Sequence, residues 1–520
     1  MSENGGASLG GLDEDVSRHI LRELSRKDLW SLLQTCRWLR GASMPLLFRK
    51  CTLNVRGPRN VIEPERFLPA SFRPHVQTLV LRDACPDHRV VDGLEDPPHY
   101  FTDNHKLCGA LPGPPLADRL RELPHLRSLR LTMYHNSRHV THGLSWDTLR
   151  AVLSVPHLRE FDIENMYLCP ELRSGEQLQV NVESLSTITS FRYQLWQPRE
   201  PLTTSFETAA LSVVLSQLCE TLETLDLASE PAPLFALSQL RCPRLRKLVY
   251  RGTPWQTLAA PFISFHTGMQ DLRAFTLKLD VTPGTIPQVL WPAGYEGPFP
   301  WPELERLVIS FPNPRDEVYD HLPSSLRALS LRCWPHVHVQ KRPTKPSTQA
   351  LDHNALLSSS AIRSILRRCS SLNLDHLEIE YRADDEDDAL LRHVVKTFPL
   401  LTSLKIHRYR SALEIEEGRD VPVDHIAQML VPLSRLRRLK IYLDLVRTPR
   451  PRPGPVWRSI SSPYVYDAYA VYDFEGAVQG MAKVFAQNLS SSLREVIVYS
   501  VSESSPYWRI YNSGELRLSV

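Results

Sequence analysis

The chain has 520 residues, with 61 Lys and Arg against 58 Asp and Glu and a net charge of +3. That balance gives no electrostatic footprint for a nucleic-acid partner or an anionic membrane surface. No stretch approaches the roughly 20 apolar residues that span a bilayer, and residues 1–12, Gly-rich and acidic, lack the basic and apolar regions of a secretion signal. The nine cysteines (Cys36, Cys51, Cys85, Cys108, Cys169, Cys219, Cys242, Cys333, Cys369) are odd in number, widely spread and never C-x-x-C. Buried free thiols in a reducing compartment are expected, rather than a disulfide framework or a zinc ribbon, in a cytoplasmic or nuclear protein.

After a disordered tail over 1–11, residues 12–48 read as three short helices. In the first, Asp13 or Asp15 can cap the free N–H groups, and Val16, Ile20, Leu21 and Leu24 recur at helical spacing. The second opens with Ser25-Arg26-Lys27-Asp28, an S-x-x-D capping pattern, and continues with Leu29, Leu32, Leu33 and Cys36. The third carries Leu39 and Ala42 and is expected to stop near Pro45, which lacks the N–H.

From residue 76 a short motif recurs, apolar-x-x-apolar-x-apolar. Examples are Val76/Leu79/Leu81, Leu126/Leu129/Leu131, Leu158/Phe161/Ile163, Leu245/Leu248/Tyr250, Leu326/Leu329/Leu331, Leu401/Leu404/Ile406 and Leu493/Val496/Val498. Several copies are introduced alike, by Leu-Pro-His-Leu at 123, Val-Pro-His-Leu at 155, Cys-Pro-Arg-Leu at 242 and Trp-Pro-Glu-Leu at 301. Many copies lie about 22 to 35 residues apart, overlapping the period of leucine-rich repeats. Each copy predicts a short strand whose fourth and sixth positions point into a core and whose fifth points out. The Asn or Cys that regular repeats place three residues after the last leucine is replaced by Ala84, Tyr134, Met166, Glu230, Pro312, Trp334 or Tyr409. Three gaps, near 86–120, 333–372 and 443–490, have the Pro-rich and polar composition of mobile loops, though the aromatic run Tyr464, Tyr466, Tyr469, Val471, Tyr472 and Phe474 marks part of the third for order.

The segment from Leu12 to Leu53 resembles the F-box motif through Leu12, Asp15, Val16, Ile20-Leu21, Leu24, Asp28-Leu29, Leu32 and Cys36-Arg37. It departs at Asp13, where the family has proline, and at Leu39, where many members have the tryptophan that here stands at Trp38. The run from Ala42 to Arg49, followed by Thr52-Leu53, is similar to the large fungal F-box families, in which such a run leads into repeats. The resemblance implies a substrate receptor of a Skp-cullin-F-box ubiquitin ligase, with no catalytic residues, metal or cofactor of its own. The helices would pack on a Skp adaptor, and through it a cullin, while the repeats hold an unknown protein substrate.

The expected fold class is therefore α/β, with a three-helix F-box (12–55), a linker (56–75) and an irregular leucine-rich-repeat-like solenoid (76–520) with parallel strands on its concave side. Leu12, Val16, Ile20, Leu21, Leu24, Leu29, Leu32 and Leu33 are divided between adaptor contact and internal packing. Outward strand positions are the candidates for substrate contact: Arg130, Asp162, Glu164, Arg192, Asp226, Arg251, Arg332, Glu378, Glu380, Lys405, His407, Lys440 and Tyr442. Two other readings stay open, a cullin-independent interaction scaffold and a plain repeat protein whose first helices only cap the array.

Other constellations are read as structural. His336-Val337-His338 has no identifiable third ligand, Asp384-Asp385-Glu386-Asp387-Asp388 lacks the spacing of a calcium loop and reads as a solvated loop, and the Arg-Pro segment 447–455 reads as a spacer. No phosphate-binding loop, dinucleotide fingerprint or nucleophile elbow appears, so an enzyme is not expected.

Overall fold

Alternating apolar residues on a short extended segment make a strand with one buried face, and each copy of the recurring motif forms one. The computed structural model describes residues 13–86, 101, 106–133, 142–171, 187–195, 204–255, 257–279, 286–332, 356–449, 452–453, 464–501 and 506–518. The chain packs as two compact units, 1–224 and 225–520.

In the first unit, Asp13 accepts the Asp15 N–H at 2.9 Å to start α1 (Glu14–Glu23). Ser25 likewise accepts the Asp28 N–H at 3.2 Å to start α2 (Arg26–Leu33). α3 (Arg37–Leu47) ends two residues past Pro45, near which the stop is expected, where the Phe48 N–H bonds the Met44 carbonyl at 3.0 Å. Pro45 sits in the last turn, where its missing N–H forgoes a single hydrogen bond.

β1 (Lys50–Val55), β2 (Thr78–Asp83) and β3 (Ser128–Met133) then pair in parallel. β4 (Gly143–Leu144) makes a small separate pair with β6 (Tyr167–Leu168), while β5 (Glu160–Glu164) and β7 (Ser190–Gln194) extend the main sheet in the order β1-β2-β3-β5-β7. The expected linker carries α4 (Arg59–Ile62) and α5 (Pro64–Phe67), with Val61 and Phe67 buried. α6 (Gly113–Arg121), α7 (Trp146–Leu153) and α8 (Thr204–Leu218) complete the unit.

The second unit orders β8 (Thr224–Ala228), β9 (Lys247–Gly252), β10 (Ala274–Leu279), β11 (Arg306–Ser310), β12 (Ala328–Arg332), β13 (His376–Arg382), β14 (Ser403–Tyr409) and β15 (Arg438–Leu443) side by side. A two-residue pair, β16 (Arg452–Pro453) with β17 (Tyr464–Val465), precedes β18 (Glu495–Val501), which joins β15. Strands β9 to β15 and β18 run parallel. β19 (Pro506–Asn512) lies antiparallel on β18. The helices are α9 (Leu234–Gln239), α10 (Ser359–Arg368), α11 (Asp387–Thr397), α12 (Ala412–Glu416), α13 (Val423–Leu430), α14 (Ala468–Asn488) and α15 (Ser513–Leu518).

Each unit is thus mixed α/β with a parallel strand sheet. The first, fourth and sixth residues of every motif copy are 2 % exposed or less. The second and third contribute backbone. One carbonyl in each repeat accepts two successive N–H groups from the next: Arg246 from Arg273 and Ala274, Arg273 from Glu305 and Arg306, Glu305 from Arg327 and Ala328, and onward to Arg437 from Arg494 and Glu495, at 2.8–3.2 Å. Any side chain serves there, which is why the sequence varies at those positions.

The introducing Pro is explained too. In Leu123-Pro124-His125-Leu126 the Leu126 N–H bonds the Leu123 carbonyl at 3.1 Å, and Cys242 to Leu245 and Trp301 to Leu304 repeat the turn. Proline at the second position pre-sets the required φ. In the 155 copy His157 has φ 67°, so there the third residue of the turn takes the positive φ of a type II turn.

Two expectations about loops are corrected. The gaps are not simply loops: α6, α10 and α14 lie inside them and bury Leu116 and Leu120, Ile362 and Ile365, and Phe474, Val478 and Phe485. Proline-rich flanks conceal these helices, because they set the average composition of the window. Tyr469 and Tyr472 of the aromatic run face solvent. Nor is the acidic run a solvated loop. Asp384 accepts N–H groups of Ser360 at 3.1 Å and Glu386 at 2.9 Å, and Asp387 and Asp388 form the first turn of α11, where carboxylates suit the helix dipole. His336 and His338 fall outside the described residues, as do Arg450, Pro451, Gly454 and Pro455 of the Arg-Pro segment.

Polar groups enter the second core with partners. Arg408, nearly fully buried, donates from Nε to Asp387 Oδ2 and from Nη2 to Glu414 Oε1, both at 2.7 Å. His266 is fully buried among Tyr250, Phe262, Phe275 and Trp301. Its Nδ1 lies 3.1 Å from the Phe262 carbonyl, which can only accept, so Nε2 accepts from the Tyr250 hydroxyl at 2.9 Å. Burial pushes the imidazole down to about 4, against the opposing pull of that carbonyl.

Candidate functional site

Two surfaces carry the candidate residues, one in each unit. On the N-terminal helices the structure divides the apolar set. Leu21 and Leu29 are buried, while Leu24, Leu32 and Leu33 are half-buried. Val16 and Ile20, one turn apart on α1, are 48 % and 43 % exposed. Leu12 lies outside the described residues. Trp30 and Trp38, 41 % and 44 % exposed, add aromatic surface that the search for leucine positions overlooks. Behind this surface the Trp30 ring packs edge-on against Phe48 at 5.8 Å, and Phe48 stacks on Phe72 at 3.8 Å.

On the strands, constant register sets candidates from successive repeats side by side. In the first unit Arg130, Asp162 and Arg192 form one row. Arg130 Nη2 meets Asp162 Oδ2 at 2.9 Å, and Arg192 approaches the same oxygen at 3.7 Å. Glu164 is half-buried one position along, opposite Gln194.

In the second unit Ser330, Glu378, Lys405 and Lys440 make a row, with Glu380, His407 and Tyr442 in the row beside it. Glu378 is its centre: it accepts from Ser330 Oγ at 2.7 Å and Arg332 Nη1 at 3.2 Å, and Lys405 Nζ lies at 3.9 Å and His407 Nε2 at 3.6 Å. Burial alone would raise its carboxyl, but the neighbouring His407 imidazole and the charges of Arg332 and Lys405 hold it well below the usual carboxylate range. Farther along, Arg251 grips Asp226 with Nε at 3.0 Å and Nη2 at 3.1 Å.

The expectation that these positions all face outward is corrected at four of them: Asp226, Glu380, His407 and Tyr442 are buried. Asp226 lies under Arg251, and Glu380 accepts from the Tyr409 hydroxyl at 2.9 Å. Tyr442 is wedged between Tyr409 and Tyr499, and Trp508 of β19 packs on His407 at 5.5 Å. β19 carries no copy of the motif, so nothing in the repeat pattern announces that covering.

Trp508 also lies under Lys440, whose Nζ sits 3.9 Å from the ring centroid. Burial, then the charges of Lys405 and Arg332, against the opposing pull of Glu378, bring Lys440 down to about 8. Lys278, a face residue that the motif count passes over, is likewise brought down to about 8 by burial and by Arg251 and Arg332, with Asp226 and Glu378 opposing. With Asp226 and Glu380 buried, cations dominate what the second face offers a visitor: Arg251, Lys278, Arg332, Lys405 and Lys440.

The described cysteines are free thiols, and Cys36 is the exposed one among them. Two buried ones, Cys85 and Cys108, meet Asp83 and His142 in the first unit. Sequence spacing does not reveal this meeting, since 22 residues separate the cysteines and 33 more precede the histidine. Among the described residues no helix is long and apolar enough to cross a membrane.

No family model matches the chain, and no curated protein matches it in sequence. Among solved structures it is similar to the crystal structure of a TLR13-ssRNA13 complex, at 14 % identity and a TM-score of 0.32, over 76 % of this chain and 58 % of that one. The chain therefore spans somewhat over half the length of that structure's chain.

Proposed function

We propose that the chain is the substrate-recognition subunit of a Skp-cullin-F-box ubiquitin ligase, docking on the Skp adaptor through α1–α3 and holding a protein substrate on the strand face of the repeats. The observation that carries this is the exposure of Val16, Ile20, Trp30 and Trp38 on helices whose residues match the F-box motif in order and spacing. Tryptophan on a small apolar patch is typical of a surface that a partner covers. The chain supplies positioning, and the chemistry belongs to the conjugating enzyme.

The test is co-purification of the full chain with a Skp adaptor from the same organism, beside a Val16→Asp/Ile20→Asp variant whose thermal unfolding matches the wild type. Capture of adaptor and cullin by the wild type, lost in the variant, supports the proposal, and failure of the wild type to bind the adaptor ends it. Adaptor without cullin would indicate the cullin-independent scaffold. The plain cap has one observation in its favour, the stacking of Phe48 on Phe72, which ties α3 to the chain that follows it. It predicts that removing residues 13–48 unfolds the first unit.

A further inference from the structure

We propose that Asp83, Cys85, Cys108 and His142 form a tetrahedral site for a structural divalent metal of the zinc class. The four side chains come from separate stretches of the first unit: the last residue of β2, the segment just after it, the approach to α6 and the residue ahead of β4. All are 2 % exposed or less. Their ligand atoms all lie within 4.8 Å of one another. A zinc ion bound to sulfur, nitrogen and oxygen at its usual bond lengths sets donors ~3.3–3.8 Å apart, so the closest contacts must open by a few tenths of an ångström and the widest, up to 4.8 Å, close by up to ~1 Å. Those contacts are Asp83 Oδ2 to His142 Nε2 at 2.9 Å and Cys108 Sγ to Asp83 Oδ2 at 3.1 Å.

The backbone around the cluster is fixed as a ligand set requires. The Cys108 N–H bonds the Gly143 carbonyl at 2.7 Å, and the Gly143 N–H bonds the Lys106 carbonyl at 2.8 Å, which locks Cys108 beside His142. The Cys85 N–H donates to Asp83 Oδ1 at 2.8 Å and so turns Oδ2 toward the other donors. Outer hydrogen bonds of this kind orient the carboxylate in metal sites. Two sulfurs and an imidazole select zinc over magnesium or calcium, which prefer oxygen, and four buried protein ligands leave no open position for catalysis. Binding releases the two thiol protons, and the ion would staple the end of β2 to the segments that lead into α6 and β4.

The experiment uses the full chain purified under reducing conditions. Elemental analysis after desalting is expected to find one zinc per chain, and cobalt exchanged into the site is expected to give the intense visible bands and the thiolate charge-transfer band of tetrahedral sulfur ligation. Cys108→Ser and His142→Ala should lose the bound metal, while Cys219→Ser, at a buried thiol outside the cluster, should keep it. Because those ligand variants can fail to fold, the cobalt spectrum of the wild type is decisive. A folded wild type that holds no stoichiometric zinc, or gives only the weak spectrum of octahedral cobalt, overturns the site and leaves an Asp-His-thiol hydrogen-bonded cluster in its place.

Discussion

The N-terminal helices and the repeat strands dispose of their apolar residues in opposite ways. In α1–α3 Val16, Ile20, Trp30 and Trp38 remain in water and three leucines are half-covered, whereas in the strands the three apolar residues of every motif copy are buried. A strand finds its cover in the next repeat of the same chain, so each copy completes its neighbour. Among the described residues the three short helices have no such neighbour on their outer side, and they have too little volume to hide every apolar position. The same kind of side chain therefore stabilises the fold in one region and is available for recognition in the other.

The most severe way to break this contrast lies in the repeats. Arg408→Ala leaves Asp387 and Glu414 without their shared cation in a buried setting, and a loss of about 3–5 kcal/mol is expected, read from the denaturant midpoint. Leu404→Ala, in the middle of the parallel strands, is expected to cost about 2–5 kcal/mol by the same measurement.

Acid provides a third test within the same core. The folded chain holds His266 neutral down to about pH 4, while an unfolded chain protonates it near 6.5. Between those values the unfolded state binds the additional proton, so stability is full above pH ~6.5 and falls by ~3 kcal/mol as the pH drops to ~4. His266→Phe should flatten that part of the stability profile.

Milder effects belong to the surfaces. Lys278 is carried at a cost below pH ~8, and between there and its ordinary value near 10.5 the unfolded chain retains the proton that the folded chain gives up. Lys278→Met is therefore expected to raise stability at pH 7 by ~1 kcal/mol once solvent screening is allowed for, with the gain gone above pH ~10.5. Smallest of all, Ile20→Asp should move the unfolding midpoint by no more than ~0.5 kcal/mol, because the side chain is already in water. A large loss there would mean that the helices are self-sufficient after all.

The strands were legible because burial on one face demands period-two alternation, and Leu329, Leu404 or Val496 can satisfy it nowhere else. The caps Asp13 and Ser25 were legible for an equally local reason. What stayed hidden depends on distant parts of the chain. Tyr442 looks like an outward residue until Tyr499 of β18 packs against it and β19 turns back to set Trp508 on Tyr499. Cys85, Cys108 and His142 meet only because the backbone from Lys106 to Cys108 pairs with Gly143. α14 begins within a run of tyrosines, two of which contribute nothing to its buried side.

The unshifted register of the second unit sets a ruler. Side chains in the row Ser330, Glu378, Lys405 and Lys440 stand one strand apart, about 4.8 Å, whereas same-side residues of an extended peptide repeat about every 6.8 Å. A peptide crossing the strands at right angles would drift out of step within three or four residues. To stay in step it must run at roughly 45° to the row, where one strand spacing equals one peptide repeat. A segment bound along that diagonal would be read by a different position on each strand, so its recognition would depend on both rows of the face at once.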